Sequence, residues 1–226
     1  MLKHELFDVL GRTNKATGGY MTMLDTYKAP IIYANFNGTS GDVDVITHEC
    51  GHAFQGYITR NYEIMEHNNL KMETAEVHSM SMEFFTSKWA ELFFKDRADD
   101  YKQMQFEDAI LFIPYGCMVD EFQEIIYSKP ELSKAERRQV WKDLEKQYKP
   151  HLRFKYDTFQ GEGRRWQLQG HIFDDPFYYI DYCIAQTCAL QFKGLMKEDF
   201  QDAWDKYLAF CKESAKDSIQ NMLHKV

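Results

Sequence analysis

Residues 47–52 read Thr-His-Glu-Cys-Gly-His, and three of these side chains form a set that could do hydrolytic chemistry. His48 and His52 are four apart, so on a helix they share one face and both imidazoles can reach a single metal ion. Glu49, one residue past the first histidine, is placed to touch a water held by that ion. Zinc takes neutral imidazole nitrogens at about 2.0–2.1 Å and, at catalytic sites, keeps one position open for water. The pattern points to a zinc hydrolase site. The bland alternative makes Glu49 a solvated helix residue and the histidines half-buried polar groups, because short motifs also arise by chance.

Two histidines alone hold zinc poorly, so a third ligand must come from a separate element. The acidic candidates downstream are Glu63, Glu66, Glu73, Glu76 and Glu83. Glu63 and Glu66 fall in or near a turn, whereas the other three belong to one predicted helix. Glu76 lies between Ala75 and Val77, and an acid in an apolar helix setting is costly unless it is paired or binds metal. That favours Glu76, with Glu73 as the alternative. Glu83, seven residues on and on the same face, either supports the metal site or pairs with a base. His78, two residues from Glu76, points to another face. Cys50 faces away from both histidines and reads as packing.

These residues need helices to hold them, and the apolar spacing supplies helices. Residues 2–10 read as a short amphipathic helix, Tyr20–Leu24 and Pro30–Phe36 as strands, and about Val43–Arg60 as the motif helix, with Ser40 and Asp42 as caps. Asn68-Asn69 marks a break before a helix over Lys71–Phe94. Asp99–Tyr127 follows, kinked or split at Pro114. A capping box at Ser133–Glu136 starts a helix that ends before Pro150. Gly161 and Gly163 punctuate a loop between Asp157 and Gly170. Beyond Pro176 the chain is helical to about Leu195, and a polar final helix occupies about Asp199–Leu223. The expectation is one mostly α domain over residues 1–226 with a small β element. Were the substrate of such a hydrolase a peptide, its backbone would pair with an exposed strand edge; Ile31–Asn37 leads straight into the motif helix, so Tyr33, Ala34, Asn35 and Phe36 are expected to bind substrate.

At 226 residues the chain can bury a substantial core. Apolar residues make up 44% and aromatics 15%, and the net charge is −8. That sign argues against nucleic acid, whose phosphates need a basic surface, and against an anionic membrane. No apolar run is long enough to span a bilayer. The five cysteines are odd in number and sit in apolar helical stretches, as expected for reduced thiols in a cytoplasmic protein.

The stretches His48–His52, Glu76–Phe84, Asn35–Val45 and His171–Tyr182, taken together, resemble the oligoendopeptidase F branch of the thimet oligopeptidase family of zinc peptidases. The likeness runs from about Glu5 to Phe192. It implies a zincin-type catalytic domain, one zinc ion on His48, His52 and Glu76, and Glu49 as general base and then acid. It also implies that His171, Tyr178, Tyr179 and Tyr182 reach the substrate, with His171 and Tyr182 as the leading donors to the oxyanion. Thimet-branch relatives carry a glycine-flanked tyrosine where this chain has Phe173, Asp175 and Pro176. The implied substrates are short peptides. Family members are longer, so the resemblance also implies an N-terminal helical part that this chain lacks, and a zinc-binding but idle fragment is the competing expectation.

Overall fold

The computed structural model describes residues 1–68, 70–213 and 215–225, apart from the Met65 side chain; Asn69, half of the expected Asn68-Asn69 break, lies outside them, as does Val226. In chain order come the strands β1 (Phe7–Leu10), β2 (Tyr20–Leu24) and β3 (Ala29–Phe36), then α1 (Ser40–Thr59), α2 (Met72–Thr86), α3 (Glu91–Phe94) and α4 (Ala98–Ser128). After these follow α5 (Lys134–Tyr148), α6 (His171–Asp174), α7 (Tyr179–Glu198), α8 (Phe200–Glu213) and α9 (Ile219–Leu223). The fold is mostly helical with one three-stranded sheet, as expected.

The sheet order is β1-β3-β2, with β3 parallel to β1 and antiparallel to β2. Two expectations fail here. The predicted helix over residues 2–10 stops after a single tight turn, because Glu5 takes a left-handed conformation (φ 52°). The chain then runs out as β1, and Ile32 N–H donates to Leu6 O at 3.1 Å to begin the pairing. β3 is the central strand, not an edge strand: Tyr33 is paired on both sides, while Ala34, Asn35 and Phe36 run past the last β2 pair, Tyr20 with Tyr33, and have β1 alone beside them. Lys15 seals that join: its side chain is 1% exposed, and Nζ donates to the carbonyls of Asp8, Leu10 and Ala34.

The motif helix α1 packs between the sheet and α2, and two glycines make this possible. A Cβ on Gly51 would lie 2.6 Å from His78 O and from Ser79 Cα, both backbone atoms of α2. One on Gly56 would lie 2.9 Å from Met23 Sδ of β2. Glycine inside a helix costs roughly 1 kcal/mol relative to alanine, and here it allows close approach. At the start of α1 the cap is Thr39, without a side-chain hydrogen bond. Asp42 instead accepts from Asn37 N–H and Gly38 N–H, tying the first turn to the segment leaving β3.

Helix α2 is buried on nearly every side, as a helix at the centre of a core should be. It ends at Thr86, and a tight turn and α3 replace the rest of the helix expected to reach Phe94. Helix α4 runs unbroken through Pro114. The Ser133–Glu136 capping box forms as predicted. The expected final helix is two, α8 and α9. The chain divides into two compact units, Met1–Gln105 with Ala185–Val226, and Phe106–Ile184. The first is centred on α1, α2 and α8, with Phe85 and Tyr207 fully buried. The second has Met118, Val119, Phe122, Trp141 and Trp166 in its core.

Candidate metal centre

The crossing of α1 and α2 brings three ligand atoms together. His48 Nε2 lies 3.2 Å and His52 Nε2 3.5 Å from Glu76 Oε2, and the ligand atoms of all three residues fall within 4.8 Å of one another. Zinc with arms of about 2.0–2.1 Å in a tetrahedron requires ligand atoms roughly 3.3 Å apart. The donor set of two imidazoles and one carboxylate, with that spacing, fits zinc. Glu73 is not part of the group.

Neighbouring side chains hold the ligands in place. Ser79, one turn along α2, donates its hydroxyl to Glu76 Oε2 at 2.9 Å. His48 Nδ1 lies 2.7 Å from Glu83 Oε1. Glu83 was legible from its spacing; Ser79 was not, although a hydroxyl three residues after a buried acid is a signal. Burial would lower the His48 pKa, but hydrogen bonds to Glu76 and Glu83 outweigh it and hold the imidazole well above its ordinary value. Burial would raise Glu76, but the two histidines hold it well below the usual carboxylate range. His78, not one of the three grouped residues, is fully buried against Phe210 and Tyr207, and burial takes its pKa down to about 3.

Glu49 is 6% exposed, and among the described residues its Oε2 has no hydrogen-bond partner. Burial raises its pKa, against the pull of His48 and His52. A Cβ on Gly19 would stand 3.7 Å from Glu49 Oε1, and the Met21 backbone also acts on this carboxylate. The strand beside Glu49 is therefore β2, whose outer side, among the described residues, pairs with no other strand. On β3, Ala34 is fully buried, the Tyr33 hydroxyl donates to Ala16 O, and Asn35 Nδ2 donates to Ala16 O and Gly18 O.

His171, Tyr178, Tyr179 and Tyr182 belong to the second unit and form a cluster of their own. The His171 ring centroid lies 5.9, 5.1 and 5.7 Å from those of Tyr178, Tyr179 and Tyr182. Tyr179 is buried in that unit's core, and burial raises its phenol pKa; Tyr178 and Tyr182 are half-buried. Gln169, overlooked in the sequence, pairs its amide nitrogen with His171 Nδ1 at 2.7 Å and accepts from the Tyr115 hydroxyl at 3.1 Å.

Comparison with known proteins follows the same lines. An oligoendopeptidase F homolog of Borreliella burgdorferi is 26% identical over 223 residues, which span 94% of this chain and 36% of that protein. A solved structure of PZ peptidase A with an inhibitor matches with a TM-score of 0.96 at 46% identity, over 99% of this chain and 40% of the other. A structure described as an oligoendopeptidase F of Bacillus anthracis gives 0.86 and 44%, covering 99% of this chain and 37% of that one. The chain thus spans about two-fifths or less of the length of these relatives. The model of peptidase family M3 matches residues 1–218, and the chain belongs to that family.

Proposed function

We propose that this chain carries the catalytic centre of a zinc-dependent endopeptidase that hydrolyses short oligopeptides. The observation that carries the proposal is the convergence of His48 Nε2 and His52 Nε2 on Glu76 Oε2, 3.2 and 3.5 Å away, with all three ligand atoms within 4.8 Å of one another. A zinc ion held there supplies Lewis acidity and lowers the pKa of a coordinated water to about 7. Glu49 takes a proton on its unpartnered Oε2 as water attacks the scissile carbonyl, and then gives it to the leaving amine. Burial, which raises the Glu49 pKa, suits a group that must both accept and release a proton near neutrality. The peptide backbone adds to the outer edge of β2, beside Glu49, in the manner of strand addition. His171 and Tyr182 act as donors to the developing oxyanion, with Tyr178 as the next candidate. Five free thiols suit a reducing cytoplasm.

Zinc analysis and cleavage of a quenched peptide test this. The wild-type protein should bind one zinc and turn over, whereas Glu49→Gln should keep the zinc and lose turnover. Full zinc content with no turnover on any short peptide would overturn the peptidase reading in favour of a zinc-binding module. Undiminished cleavage by Glu49→Gln would overturn the role given to Glu49.

A further inference from the structure

Both nitrogens of His48 face carboxylates of the same helix. Nε2 lies 3.2 Å from Glu76 Oε2, and Nδ1 lies 2.7 Å from Glu83 Oε1. Glu76 and Glu83 are seven residues apart, two turns of α2, so they stand on one face and grip the ring from either end. The Glu83 backbone is itself tied down: its carbonyl accepts from Thr86 Oγ1 at 3.0 Å and from Gln105 Nε2 at 3.4 Å. On the α1 side, Asp44 Oδ1, one turn before His48, accepts the Tyr101 hydroxyl at 2.5 Å. Among the described residues no carboxylate pairs with Nδ1 of His52.

We propose that Glu83 is a positioning residue that accepts the Nδ1 proton of His48, fixing the tautomer whose Nε2 lone pair points at the metal and setting the ring's rotation. A ligating imidazole needs its far nitrogen protonated and held, and loss of such a partner typically weakens metal affinity about 10–100-fold. Glu83 touches neither metal nor substrate; it acts through His48. This rests on the zinc reading above and deepens it.

The test is zinc affinity by competition with a chelator, on wild type, Glu83→Ala and Glu83→Gln, with thermal melts of the metal-free proteins alongside. Glu83→Ala should bind zinc about 10–100-fold more weakly, while its metal-free melt stays near that of wild type. Glu83→Gln keeps an oxygen that can accept from Nδ1 and should recover most of the affinity. Wild-type affinity in Glu83→Ala overturns the assignment, as does a Glu83→Gln no better than Glu83→Ala. Collapse of the metal-free fold in both variants also overturns it, by making the residue structural. A wild-type protein that binds no zinc would sink the zinc reading itself, which is a different result from any of these.

Discussion

Replacing Gly51 by alanine adds one methyl group at the point where the two helices that carry the candidate ligands touch. The new Cβ would stand 2.6 Å from His78 O and Ser79 Cα, short of ordinary contact at 3.4 Å by about 0.8 Å. Both obstacles are backbone, so no side chain can swing aside. Helix α1 must move off α2, carrying His48 and His52 away from Glu76 Oε2, now 3.2 and 3.5 Å distant. Alanine is worth about 1 kcal/mol over glycine inside a helix, while forcing an extra carbon into a packed contact costs typically 1–3 kcal/mol. The net expectation is a loss of about 1 kcal/mol, or a melting temperature lower by roughly 2–4 °C. Zinc affinity should fall more sharply, because a site held about 1 Å too loosely is compromised as a site. Gly194→Ala is the control: it lies in α7 with nothing within 4 Å of the added Cβ, so it should raise stability by up to about 1 kcal/mol. Thermal melts and chelator competition on both variants decide the matter. If Gly51→Ala melts higher and binds zinc as wild type does, the close approach of α1 and α2 is not what sets the ligand spacing.

Chelation should destabilise the protein, since a ligand of the folded state contributes about 4 kcal/mol at a thousandfold excess over its Kd. Glu76→Ala should abolish that difference in melting temperature and Glu73→Ala should keep it; the reverse result would displace Glu76 from the site. Burial pushes the Cys211 thiol up to about 12 from an ordinary 9.0. Its folded-state pKa is thus raised, so the associated stability is complete below about pH 9 and is lost as the pH rises toward 12. The slope is about 1.4 kcal/mol per pH unit. The difference in unfolding free energy between pH 7 and pH 10, from urea titrations, should therefore shrink in Cys211→Ala by about that amount relative to wild type, and an unchanged gap would refute the assignment. His171→Ala should lower kcat about 10²–10³-fold, the usual cost of an oxyanion donor, with a smaller loss in Gln169→Leu. Undiminished kcat on a quenched peptide in His171→Ala would remove it from that role.

Where sequence periodicity alone places a group, it was readable. His48 and His52 need only the helical repeat to share a face, and Glu76 stands out because its apolar flanks leave an acid without solvent. What depends on contacts distant in sequence was not readable. β1 is four residues long, and its register comes from β3 more than twenty residues later; no local pattern of that length separates a strand from a helical turn. The same limit hid the central place of β3, since whether β3 is central or outermost depends on β1 existing. Gln169 escaped notice because its meaning lies in the pairing with His171 and Tyr115, not in its own surroundings.

Gly51 sits between these cases and shows what further could be drawn from a sequence. A glycine in mid-helix costs stability, so its presence between two ligands demands a compensating contact. At Gly51 the contact that needs the absence of a Cβ is the backbone of another element. The second element of the site must also approach α1 closely, because ligand atoms on two helices have to come within about 3.3 Å of one another. The glycine of the motif and the acid of the next helix are thus two consequences of one crossing. The Gly51 and Glu83 variants separate its parts, since the first changes the distance between the helices and the second changes only the ring that spans it.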